Sequence, residues 1–250
     1  MITTNIAKLQ YIALTYISNT RNIYKNLKIP QITKNFENEI KGYHMMNKLP
    51  LKESLWEDIN TNIVRDFCVV ADEANGNHLP GKDNKYDNWN ISNKTCKIDK
   101  NGKISISSYR LSSICSNKDP STKEKILEEI HKRDSNFDYY SILVRQEDEN
   151  YKNKMTYTWC VIPKNYYIFN VENQEFIPKI GKQKRRQGQN VGWTGKYFDI
   201  NFTMSSQLWY HFNFDDIKQF VLASVTIQIP ETPLTYSQIY NIVSILNQEY

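Results

Sequence analysis

No stretch of this 250-residue chain approaches the roughly 18 to 20 consecutive apolar residues that a membrane span requires. The opening MITTNIAKLQYIALTYIS carries one Lys ahead of an apolar stretch broken by Gln10, Tyr11 and Thr15, which makes a poor secretory leader and an ordinary amphipathic helix. Cysteine is scarce. Cys68, Cys96, Cys115 and Cys160 lie far apart with no CxxC pair, which points to buried free thiols and a cytoplasmic, reducing setting. The four histidines, His44, His78, His131 and His211, lack the spacing of zinc ligands. There is no GxSxG, no phosphate-cradling glycine loop, no internal repeat and no linker. Serine-hydrolase, P-loop and zinc-hydrolase chemistries therefore have no support.

What is present is the composition of a soluble mixed α and β protein, with 40% hydrophobic and 24% charged residues and a period that alternates between helical and strand-like. The expectation is one unit spanning residues 1–250, with a helical part over about 1–75 and a sheet-containing core over about 76–250. The net charge of +5 is mild, but the densest cationic run, GKQKRRQGQN at Gly181 to Asn190, sits among amides and next to aromatics, as suits a polyanion.

Helical spacing predicts helices from Ile6 to about Leu27 and from about Leu51 to Ala74, the second with Leu55, Ile59, Ile63, Phe67 and Val70 on one stripe. The Gly-, Asn- and Pro-rich NGNHLPGKDN is a loop. Two β-prone pieces follow, about Tyr86 to Lys97 and Gly102 to Leu111, read as a hairpin about the DKNG turn. A helix capped by Asp119 with Pro120 in its first turn comes next, then strands in FDYYSILVRQED and MTYTWCVIPKNYYIF. Lys179 to Gly195 reads as a loop, FVLASVTIQI as a strand, and TYSQIYNIVSILNQ as a closing helix capped by Thr235.

The chemistry-bearing stretch is GNHLPGKDNKYDNWNISNKTCKI, Gly76 to Ile98. Metal-assisted phosphodiester hydrolysis needs a carboxylate to hold the ion, a second oxygen ligand, and a cation that orients water or neutralises developing charge. If Asp83 begins one strand and ISNKT lies on its neighbour, the carboxylate and the Lys94 ammonium reach one edge of the sheet, with Ser92 on the face of Lys94. Asp87 takes the role of Asp83 if the strand begins later. The same composition is also that of any solvated polar hairpin, and His78 is either a surface side chain or a substrate contact.

Asp83 in PGKD, followed by ISNK on a second strand, resembles the PD-(D/E)xK nuclease core of type II restriction endonucleases over about 70 residues. Gly81 and Lys82 separate Pro80 from Asp83, and Ser92 stands where the motif has an acid. The family can recruit a replacement carboxylate from a neighbouring helix, and Glu73, beside Asp72, is the candidate. The resemblance implies a mixed central sheet flanked by helices, Mg²⁺ held by Asp83 and Glu73, water oriented by Lys94, and hydrolysis of double-stranded DNA by a homodimer.

The basic run supplies the DNA contacts in this reading. Lys182, Lys184, Arg185 and Arg186 suit phosphate or guanine edges, Gln187, Gln189 and Asn190 suit adenine, and Arg110 in SSYR is a lesser contact. A solvated basic loop is the bland alternative, and Trp193 and Trp209 read as core or strand-edge residues before stacking platforms. The rival functions are a nuclease for structured or modified nucleic acid and a non-catalytic nucleic-acid-binding protein.

Overall fold

The structure is a computed structural model that describes residues 27, 29–68, 70–71, 82–115, 121–202 and 206–246. The expected helix from Ile6 therefore lies outside the described residues except for Leu27, as do Asp72, Glu73, His78, Pro80, Asp119 and Pro120. Two helices come first, α1 (Pro30–Met46) and α2 (Glu53–Val64). The strands are β1 (Val70–Ala71), β2 (Asn84–Tyr86), β3 (Trp89–Lys97) and β4 (Lys103–Arg110), followed by α3 (Lys123–Asp134). Then come β5 (Tyr139–Glu147), β6 (Lys154–Pro163), β7 (Ile177–Ile180), β8 (Asn190–Thr194), β9 (Phe198–Asn201), β10 (Gln207–Asn213), β11 (Val221–Gln228) and the helix α4 (Tyr236–Leu246).

The strands form two sheets. The first is mixed, in the order β1-β2-β3-β5-β6-β11, and only its β3–β5 pair is parallel among the described residues. The second is antiparallel, in the order β4-β10-β9-β8-β7. A parallel pair needs a crossover connection, and β4 with α3 supplies it. The first six residues of β5 are all buried because both of its faces are covered. Phe36, Ile40, Trp56 and Ile63 of α1 and α2 pack with Leu143 and Trp159 on one face. On the other, Ile142 and Ile162 pack with Ile106 and Tyr210 of the second sheet and Ile126 of α3. The protein is thus mixed α/β, with helices, a mixed sheet and a second sheet in successive layers. Among the described residues no helix is long and apolar enough to cross a membrane.

Several expectations change. The pieces at 86–97 and 102–111 are not a hairpin. The turn at Asp99 to Gly102 forms, with the Asp99 N–H donating to the Lys103 carbonyl at 2.9 Å, but it hands the chain from one sheet to the other, where β4 pairs with β10. Alternating burial of Ile104 and Ile106 suits a strand with one wet face. The helix expected over 51–74 ends at Val64 and its buried stripe is Trp56, Ile59, Asn60, Ile63 and Val64, so Leu55 is exposed and Val70 lies in a strand. Thr122 caps α3, its hydroxyl accepting from the Lys125 N–H at 3.4 Å. The basic segment is no plain loop, since β7 and β8 flank a short 3₁₀ turn at Lys184–Arg186. Thr235 does cap the last helix, in a reciprocal box with Gln238.

A buried polar network locks α2 onto the mixed sheet. Asn60 donates to Ser141 Oγ at 2.7 Å and accepts from the Tyr86 hydroxyl, and the Trp159 indole donates to the same Ser141 Oγ at 3.0 Å. Asn84 donates to Thr61 Oγ1 at 2.5 Å and to the Glu57 carbonyl at 3.3 Å. Asn60→Ala removes the acceptor of the Tyr86 hydroxyl and should cost about 1–3 kcal/mol for the buried donor left unsatisfied. Urea unfolding followed by tryptophan fluorescence reads this as a lower midpoint at unchanged slope.

Candidate functional site

The site is built where β2 runs out. Asp83 immediately precedes β2, and its N–H donates to the Ile91 carbonyl at 2.9 Å. In an extended strand the N–H and C=O of one residue point to the same edge, so the backbone of Asn93, two residues on, faces the edge that β2 no longer covers. Two side chains take its place. Asp83 Oδ2 accepts the Asn93 N–H at 2.5 Å, and Lys94 Nζ donates to the Asn93 carbonyl at 2.7 Å. Ser92, on the same face of β3 as Lys94, donates to Asp83 Oδ2 at 3.4 Å.

Lys94 is 8% exposed, and an ammonium that deep needs partners. It has Asp83 Oδ2 at 3.8 Å and Glu53 Oε1 at 3.1 Å. Glu53 opens α2, where the helix dipole favours a negative charge. One turn later, Glu57 has its carboxyl pushed up to about 7, by burial first and then by the charges of Asp83, Glu53 and Asp58, with Lys94 opposing. Glu53, Glu57 and Asn60 stand at helical spacing on one stripe of α2, so the network that holds Asn60 also aims the two carboxylates.

Asn93 adds a further oxygen. Its side chain lies on the face of β3 that α2 covers, as Ile91 does and as its cross-strand partner Ser141 does. It is fully buried, and neither end of its amide has a hydrogen-bond partner among the described residues. A buried unsatisfied amide calls for a water, an ion or a functional role. No group of three or more His, Cys, Asp or Glu side chains is spaced to hold a metal ion among the described residues. A hard cation of the Mg²⁺ type, which keeps most of its waters and uses one or two carboxylates, does fit Asp83 with a glutamate of α2. Its charge would relieve the crowding at Glu57.

The sequence-predicted residues divide. Asp83, Ser92 and Lys94 come together, whereas Glu73 lies outside the described residues. Asp87 sits at the far end of the β2–β3 hairpin, in its turn with a φ of 52°, beside the Cys68 thiol that burial and this carboxylate push up to about 11. Lys182, Lys184, Arg185, Gln187 and Gln189 are exposed at the tip of the β7–β8 hairpin, with Arg186 and Asn190 half-buried. Gly188 gives that tip its positive φ of 81°. Strand β7 is the edge of the second sheet opposite β4, about 19 Å across four strand spacings, whereas Asp83 lies beside β2 of the first sheet. Arg110 is exposed at the end of β4, opposite Gln207. Trp193 packs against the core, its indole donating to the Ser121 carbonyl at 3.3 Å.

Sequence reasoning missed Glu53 and Glu57. Their signal was an acidic i, i+4 pair in ESLWED beside a buried stripe. It also missed a row across the outward face of the second sheet, in which Ser105 Oγ is 2.8 Å from His211 Nδ1 and His211 Nε2 is 3.3 Å from Asp199 Oδ2. Lys179 pairs with the other Asp199 oxygen at 2.8 Å, so the row reads as a surface polar ladder.

No family model, curated protein or solved structure matches this chain.

Because the folded-state value of Glu57 lies above its ordinary 4.5, its contribution to stability is fully present below that value and is lost as pH rises through about 7. Glu57→Gln should therefore raise the melting temperature at pH 8 and bring little or no gain at pH 4. Thermal unfolding of both proteins across that range measures the difference, and a gain independent of pH would show that Glu57 is not crowded.

Proposed function

We propose that the chain is a metal-dependent endonuclease for double-stranded DNA with a restriction-endonuclease-like core. The observation that carries this reading is the meeting of Asp83, Lys94 and the α2 glutamates at the uncovered edge of β3. The order of parts supports it: an acidic helix, a hairpin bearing Asp83 and Lys94, a crossover, and a strand parallel to β3. Asp83 and Glu57 would hold Mg²⁺ in this reading. When bound, the ion supplies Lewis-acid polarisation of a phosphoryl oxygen. Asp83 is held in place by the Asn93 N–H and the Ser92 hydroxyl. Lys94, released from Glu53 as the substrate enters, orients the attacking water and neutralises charge on the phosphate. The β7–β8 tip contacts phosphates away from the cut, and Arg110 is a further cation at the other edge of that sheet.

A second reading rests on one observation, that Asp83 and Lys94 satisfy both backbone groups of Asn93 and so have a structural task. In that case the protein binds nucleic acid without cutting it. Incubation with supercoiled plasmid in Mg²⁺ and in EDTA separates the readings. The nuclease nicks or linearises the plasmid only with the metal, and the binder leaves it whole in both.

Lys94→Ala and Asp83→Asn should each lower cleavage at least 100-fold while DNA affinity in Ca²⁺ stays within a few fold, because both groups act on the transition state more than on the bound duplex. Gel cleavage paired with fluorescence anisotropy reads both quantities, and near-normal turnover by either variant removes that residue from the chemistry.

The basic tip is tested separately. Arg185→Ala/Arg186→Ala should flatten the dependence of log K on log salt by about 0.9 for each phosphate that is no longer neutralised. An unchanged slope would make the tip a solvated turn.

A further inference from the structure

Burial alternates along β9 and β10, so Phe198, Ile200, Leu208, Tyr210 and Phe212 point into the core and their neighbours point the other way. None of those outward neighbours is buried. One of them is a tryptophan. Trp209 stands on β10 between Ser107 of β4 and Asp199 of β9, belongs to neither apolar core, and has no ring partner among the described residues. Short polar side chains on both flanks give the indole no apolar cover. Charge follows the same face. Arg110 lies opposite Gln207 at the β4 edge, and from the β7 edge Lys179 donates to Asn201 at 3.0 Å and pairs with Asp199 at 2.8 Å. Asp199, the only carboxylate in the five strands of this sheet, is thereby balanced. The chain from Phe176 to Tyr197, which contains β7 and β8, carries six cations and no acid.

We infer that this face binds single-stranded nucleic acid, with a base stacked on Trp209 and the backbone running between Arg110 and Lys179 toward the basic tip. Charge selects a polyanion. A neutral sugar would also stack on an indole, but it has no use for cations at both edges of the sheet. The uncovered ring selects a single strand, because the bases of a duplex are already stacked on one another, whereas each unpaired base offers a free face. Gln207 and Asn201, between the two cations, carry amides that both donate to and accept from base edges. The face lies on the side of the second sheet turned away from the mixed sheet, so the inference does not depend on the chemistry proposed at Asp83. Its test runs in EDTA and reads no cleavage.

Fluorescence anisotropy of labelled oligo(dT), oligo(U) and a duplex of equal length, with tryptophan emission read in parallel, tests this. Wild type should bind one or both single strands with quenched emission. Trp209→Ala should lower that affinity about 10-fold and remove most of the quench, while Trp209→Phe keeps a stacking ring and most of the affinity. Thermal unfolding of both variants should match wild type, since Trp209 lies outside both cores. Arg110→Ala should flatten the dependence of log K on log salt by about 0.7, the single-strand value for one phosphate. Failure of wild type to bind either single strand, or unchanged affinity in Trp209→Ala, would overturn the proposal. So would a duplex that binds as tightly as the single strands and loses as much affinity with Trp209→Ala. Quenching by cellohexaose and not by the oligonucleotides would mark a sugar platform and overturn it as well. Should Trp209→Ala fail to fold, acrylamide quenching of the wild type decides: emission shielded by the bound oligonucleotide supports the inference, and unshielded emission ends it.

Discussion

Asn60 has no exposed surface, and each end of its amide is spent on a different strand, one on Ser141 of β5 and the other on Tyr86 of β2. Leaving either bond unmade would strand a polar group in a core of Trp56, Trp159 and Phe36, so the network fixes how α2 is rotated on the sheet. That rotation has a consequence at the surface. Glu57 and Glu53 follow from Asn60 along the same stripe, so a hydrogen-bond requirement inside the core decides where two carboxylates stand outside it.

The second constraint is the shortness of β2. Its three residues pair with only the beginning of β3, and the rest of that edge needs donors and acceptors from elsewhere. Asp83 and Lys94 provide them, which holds the two charged groups side by side at modest cost because each also completes a backbone bond. Like charges then accumulate. Asp83, Glu53 and Glu57 crowd one ammonium, and the carboxyl of Glu57 keeps its proton to about 7. The cluster thus holds more carboxylates than its own lysine can balance.

Much of the architecture was legible locally. Strand β5 and its antiparallel partner β6 follow from runs of β-branched and aromatic residues, and the last helix from the Thr235 cap and the periodicity behind it. The hairpin reading of 86–111 failed because a turn such as DKNG reports only that the chain reverses. It does not report which neighbour the next strand finds, and β4 finds β10, about a hundred residues later. The 179–195 segment failed for a related reason: β8 is held by pairing with β7 and β9 as much as by any preference of its own.

The sequence by itself determined the helix and strand content of most segments, the absence of a membrane-length helix among the described residues, and the pairing of Asp83 with Lys94, because a hairpin is a local object in which ten residues suffice to bring two side chains to one edge. Only the tertiary structure decided that Glu53 and Glu57 join them, that Asp87 does not, and that the basic tip stands at the far edge of a second sheet. Those facts depend on how α2 is rotated and on which strands pair across long separations, and both are settled by buried contacts between residues tens of positions apart, which leave no periodic mark in the chain.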